Sequence, residues 1–166
     1  MNATTVPETP PMPGGAVAAV VALLDSCRLM ALAVNRPDGW PQVTMVGYVN
    51  EGLNLYFVTA RNSQKMANIR ADPRVSVTVF SEARHGDAVG VSLAGRAEEV
   101  IDTLMVERLN RMVAERYADL NVFGPGADSV AVVRVRPEIL SPVGVTAGRS
   151  TAQTYSLSRD GRPGVP

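Results

Sequence analysis

The chain has 166 residues, 46% of them hydrophobic and 19% charged, with 16 basic and 16 acidic side chains. That length and composition suit one globular domain with its own core, and the balanced charge argues against a protein that holds nucleic acid mainly by neutralising phosphates. A single cysteine, Cys27, excludes an intrachain disulfide and any multi-cysteine metal site.

Residues 1–15, MNATTVPETPPMPGG, hold four prolines and two glycines and read as a flexible N-terminal arm. They offer no basic region followed by an apolar core, and no run of about 18 apolar residues follows anywhere, so neither a secretory signal nor a membrane span is expected. A cytoplasmic location is the default expectation. From Ala16 to Cys27 the residues Val17, Val20, Val21 and Leu24 recur at helical spacing.

The chain then alternates. Leu29 to Val34 reads as an apolar strand, NRPDG as a turn, and Pro41 to Val49 as a second strand. On that second strand Val43, Met45 and Val49 share one face, while Gln42, Thr44 and Tyr48 share the other. Asn50 to Gly52 makes a tight turn into a third strand, Leu53 to Thr59. Ser63 to Ala71 reads as a short helix stopped by Pro73. Val75, Val77 and Val79 mark a fourth strand. Ala88 to Val100 gives a fifth, with Gly95 at a bulge or close approach. Asp102 caps a helix to about Tyr117 whose stripe Met105, Leu109 and Met112 reads as core. Val130 to Val135 is a sixth strand, ended by Pro137, and residues 144–166 form a polar tail. Six strands with short turns predict a mainly β, α+β fold: an antiparallel barrel over residues 16–143 with flanking helices. Neither GxGxxG nor GxxxxGK[ST] is present.

The junction TARNSQK, between the third strand and the short helix, holds two hydroxyls, an arginine, a lysine and an amide side chain. A helix start presents unpaired N–H groups and the positive end of the helix dipole. Ser63 is a candidate N-cap. Lys65 falls in the first turn, where a cation is disfavoured unless an anion sits there. Thr59 and Arg61 can supply further donors. Taken alone, the seven residues fit a capped surface helix with a solvated lysine at least as well as an anion site.

The surrounding order shifts that balance. "LMALAVNRPDGWPQVTMVGYVNEGLNLYFVTARNSQKMANIRADPRVSVTVF", followed by "VSLAGRAEEV", resembles the FMN-binding split-barrel proteins, the pyridoxamine 5′-phosphate oxidase-like superfamily. The resemblance covers half to two-thirds of the chain. It implies a six-stranded split β-barrel homodimer with flavin mononucleotide at sites between the subunits. By similarity Thr59, Ser63 and Lys65 hold the cofactor phosphate, with Gln64 beside them, and Val58 and Arg61 count among the cofactor-binding residues. Gln42, Val43, Thr44 and Met45 lie along the flavin ring, and the partner's strand near Gly90 to Ser92 completes the site.

Three departures mark this chain. Gln42 stands where many members carry a basic residue. Gly90 stands where the oxidases carry a polar one. The C-terminal part lacks the Trp- and Arg-His-bearing ending that grips pyridoxine phosphate. The resemblance therefore implies an FMN-dependent oxidoreductase of an unknown small molecule, distinct from the true oxidase. A deazaflavin-dependent reductase of the same fold, or a non-catalytic flavin- or haem-binding stress or sensor protein, are the alternatives. No catalytic residue is assigned: Tyr48 and His85 qualify by type alone, and a structural or surface role is expected of each. No metal site is expected, because His85 has no histidine or cysteine partner.

Overall fold

The computed structural model of the chain describes residues 9–82, 88–118, 129–146 and 149–157. In chain order the elements are α1 (Gly14–Ser26), β1 (Leu29–Asn35), β2 (Pro41–Gly47), β3 (Val49–Glu51), β4 (Asn54–Ala60), α2 (Gln64–Ala71), β5 (Arg74–Glu82), β6 (Ala88–Glu99), α3 (Thr103–Arg116), β7 (Val130–Thr146), β8 (Arg149–Ala152) and β9 (Tyr155–Ser156). The strands form one antiparallel sheet in the order β2-β1-β5-β6-β7-β4-β3, with β8 and β9 added to β7. The sheet curls until β2 approaches β4, and α2 sits at that split against β1 and β4. The expected antiparallel split barrel is the observed fold, with nine strands among the described residues rather than six.

Strand alternation builds two cores on opposite faces. Leu32, Val34, Leu55, Phe57, Val77, Val91, Leu93 and Val133 point into the barrel, and α1 closes over them with Val20 and Leu24. On the other face Tyr56, Val49 and Val132 meet α3 through Leu109 and Tyr117, with Met105 and Met112 packed beside them. The Met105–Leu109–Met112 stripe is therefore core.

Three boundaries differ from the sequence reading, each for a local reason. The second strand breaks at Tyr48 because Tyr117 intrudes there. Its hydroxyl accepts from Tyr48 N at 2.7 Å, and its ring would lie 3.1 Å from a Cβ at Gly47. The sixth strand runs through Pro137 because the register of β6 and β7 shifts between Ala94 and Gly95. A bulge tolerates a residue with no N–H to donate. Gly95 is obligatory at that bulge, since a Cβ would meet Arg136 O at 2.2 Å.

The third difference is at the chain ends. In the tail, β8 is a polar, solvent-facing edge strand, while β9 is part-buried and Tyr155 and Leu157 pack on the core. Ser156 N donates to Pro10 O at 3.0 Å and Ser156 Oγ to Thr9 O at 2.8 Å, and Met12 is buried. Residues 9–15 are thus tied to the barrel, and residues 1–8 lie outside the described residues.

Candidate functional site

The junction sits where β4 ends at the split. Ser63 N donates to Ala60 O at 3.0 Å and Arg61 N to Ser129 O at 2.7 Å, so the turn is pinned on both sides. Ser63 has extended backbone angles, and its Oγ accepts from Met66 N at 3.2 Å. It is the N-cap that the sequence suggested. Thr59, buried on the inward face of β4, places its Oγ1 3.3 Å from Ser63 Oγ. One of the two hydroxyl protons bridges that pair, and the other remains to be donated outward.

Lys65 is half-buried in the first turn of α2, with its Nζ 5.9 Å from the centre of the Phe57 ring. Burial lowers its pKa, and no carboxylate among the described residues pairs with it. No acidic residue occupies that turn. Two forces thus oppose the ammonium: partial loss of water and the positive end of the helix. A weak attraction to the Phe57 ring offsets only part of this. A bound anion would reverse both.

The other expected residues separate into groups. Gln42 and Thr44 lie on the inward side of β2, and Thr44 Oγ1 is buried with no hydrogen-bond partner among the described residues. Gln42 Oε1 accepts from Asn68 Nδ2 at 3.1 Å, and Asn68 Oδ1 accepts from Gln64 Nε2 at 2.9 Å. Val43 and Met45 point to the outer face and are 62% and 64% exposed. Val58 faces away from Thr59 and packs in the α3 cluster, so only its backbone belongs to the same strand end. Arg61 is turned to Glu99, which accepts from its Nη1, while its Nη2 donates to Val130 O at 3.0 Å. Arg70 Nη2 reaches the same Glu99 at 3.1 Å. Arg61 is thereby tied to the rim formed with β6 and β7.

Asn68 was missed from the sequence. It is 1% exposed in the middle of α2, where an asparagine is a poor helix former, and that mismatch was the signal available. Tyr48 is buried, donates to Leu24 O at 2.8 Å, and has its phenol pushed well above the ordinary range, mainly by burial, so it serves structure. His85 lies outside the described residues. Among the described residues no group of three or more His, Cys, Asp or Glu gathers as a metal site, and no helix is long and apolar enough to cross a membrane.

Two surfaces lie nearby. A groove of about 370 Å³ runs between α1 and the β6–β8 region, lined by Ala19, Leu23, Val89, Gly90, Val143 and Tyr155. No residue of the junction lines it. The outer face of the β2-β1-β5-β6-β7 sheet carries Val43, Met45, Leu29, Phe80 and Ile139, each at least 41% exposed. Between them lie the small side chains Ala31, Ala33, Ser76, Thr78, Ser92 and Ala94.

A family profile for pyridoxamine 5′-phosphate oxidase matches residues 16–143. No curated protein matches the chain by sequence. Solved structures share the fold. A conserved hypothetical protein, Rv2991, of Mycobacterium tuberculosis is 25% identical, with 98% of this chain and 96% of that one covered and a TM-score of 0.64. A FAD-binding protein of Mesorhizobium loti is 23% identical, with 81% and 96% covered and a TM-score of 0.66. The haem storage protein HutZ of Vibrio cholerae is 15% identical, with 73% and 89% covered and a TM-score of 0.62.

Proposed function

The chain belongs to the pyridoxamine 5′-phosphate oxidase family, and on that premise we propose that it binds flavin mononucleotide at the start of α2. We propose further that it works as a homodimer and as an FMN-dependent oxidoreductase of a small molecule. One observation carries the reading: Lys65 is a half-buried cation at a helix start with no carboxylate partner among the described residues. The cost of holding it there is recovered when a dianionic phosphate ester docks.

The residues present fit that group. Lys65 supplies the charge, Thr59 and Ser63 supply one free hydroxyl proton between them, and the first turn of α2 supplies backbone N–H groups. When bound, the flavin supplies the redox chemistry, and the protein supplies its orientation and electrostatic surroundings. Gln42 and Thr44 would face it from β2. The exposed Val43, Met45, Leu29, Phe80 and Ile139 would be covered by a second copy, which removes an apolar sheet face from water.

The purified protein should carry flavin absorption bands rather than a haem Soret band or a deazaflavin band, and after stripping should retain flavin mononucleotide in preference to riboflavin. Equal retention of the two flavins would overturn the phosphate site.

A further inference from the structure

Three amide side chains form a directed relay across the split. Gln64 Nε2 donates to Asn68 Oδ1 at 2.9 Å, and Asn68 Nδ2 donates to Gln42 Oε1 at 3.1 Å. The first member is exposed, the second is buried, and the third lies part-buried on the inward face of β2. Gln42 is 26 residues from Asn68 in sequence, so the contact ties α2 to β2 at the site. With its oxygen turned to Asn68, the Gln42 amide presents its nitrogen on the other side. Each donated bond also polarises the next amide along the chain.

We propose that Asn68 is a positioning residue that fixes Gln42 as a neutral hydrogen-bond donor, so that the site selects a ligand bearing an acceptor atom beside Gln42. This inference rests on the flavin reading above. The acceptor is an oxygen of the ligand, on the phosphate ester or on the flavin ring. A neutral donor favours a charged acceptor over a neutral one less strongly than a basic side chain at the same place does. Two residues on, the Thr44 hydroxyl on the same side of β2 is buried without a hydrogen-bond partner among the described residues. On the inward edge of this strand the Gln42 nitrogen is therefore the donor available to the ligand.

Asn68→Asp replaces the donor by an acceptor. Both of its oxygens then accept, one from Gln64 and one from Gln42, and the Gln42 amide turns over to present its oxygen. The test is titration of flavin mononucleotide and of riboflavin into the flavin-free protein, followed by fluorescence quenching. The proteins are wild type, Asn68→Asp, Gln42→Met and the double variant. Gln42→Met should weaken flavin mononucleotide by about 3- to 12-fold, the value of one neutral hydrogen bond. Asn68→Asp should weaken it at least as much, and should have a smaller effect in the Gln42→Met background, where only the repulsion between its new charge and the phosphate remains.

If riboflavin is weakened equally, the acceptor is on the ring. If riboflavin is unchanged, the acceptor is a phosphate oxygen. Unchanged affinity in Gln42→Met overturns the proposal even if Asn68→Asp does not fold, and so does full additivity in the double variant. A wild type that prefers flavin mononucleotide while Gln42→Met binds it normally leaves the phosphate site standing and removes only the relay. A wild type that binds no flavin removes both. Melting of the flavin-free variants reports any purely structural role of Asn68 separately.

Discussion

At the scale of single residues, Lys65 carries a conflict that has a measurable consequence without any ligand. Its pKa is lowered by burial in the folded chain. Between that lowered value and the ordinary lysine value the unfolded chain binds more protons, so stability rises with pH across that window. Below it the buried charge is a standing cost. Lys65→Met should therefore melt at higher temperature than wild type at neutral pH, and the gain should shrink as pH rises through the window. Thermal melts of the flavin-free protein at neutral and alkaline pH check this. A lower melting temperature for Lys65→Met would mean the ammonium already has a partner. The variant should also bind flavin mononucleotide less well, the usual exchange of stability for function at a binding site. The Ser63 cap and Lys65 were both legible in TARNSQK. The commitment of Arg61 to Glu99 was not, because Glu99 lies 38 residues away on β6. For the same reason Asn68 went unnoticed: nothing local shows what its amide meets.

At the scale of elements, α3 is locked to α1 by one side chain. Arg116 donates to Leu24 O at 3.0 Å, to Asp25 O at 3.1 Å and to Cys27 O, and lies 5.2 Å over the Tyr48 ring. It donates to the Asp25 and Cys27 carbonyls at the C-terminal end of α1 and shares the Leu24 carbonyl with the Tyr48 hydroxyl. Arg116→Ala should cost about 2 kcal/mol, lowering the melting temperature by roughly 4–8 °C for a chain of this size. An unchanged melt would mean water replaces the guanidinium without loss. The bulge at Gly95 predicts a larger effect. Gly95→Ala forces a methyl to within 2.2 Å of Arg136 O and should cost about 3 kcal/mol, read by denaturant unfolding. Both caps of the later helices, Ser63 and Asp102, and the bulge were readable from sequence because each depends on residues within a few positions. The length of β7 was not. Pro137 is a strand breaker in isolation, and only its pairing opposite Gly95 makes it tolerable. The pairing of β8 and β9 with β7 was not legible either, since a polar segment can still pair along one edge.

At the scale of the whole molecule, the apolar outer face and the proposed phosphate site predict two linked behaviours. Sedimentation equilibrium at micromolar concentration should give a dimer of the 17.6 kDa chain, and Met45→Glu with Phe80→Glu should shift it to monomer. A wild-type monomer would leave the sheet face unexplained and remove the shared site. Pyridoxine and pyridoxamine phosphate should turn over negligibly, below a kcat/KM of about 10⁴ M⁻¹s⁻¹, because residues 136–166 contain neither the Trp nor the Arg-His pattern that the family resemblance associates with gripping them. The central claim is that Lys65 waits for the phosphate of a flavin. The direct measurement is titration of flavin mononucleotide and riboflavin into wild type and Lys65→Ala. A hydrogen bond to a charged group contributes about 1.5–3 kcal/mol, so the substitution should weaken flavin mononucleotide by roughly 10- to 150-fold and leave riboflavin nearly unchanged. Equal binding of the two flavins by wild type, or equal weakening of both by Lys65→Ala, would contradict it.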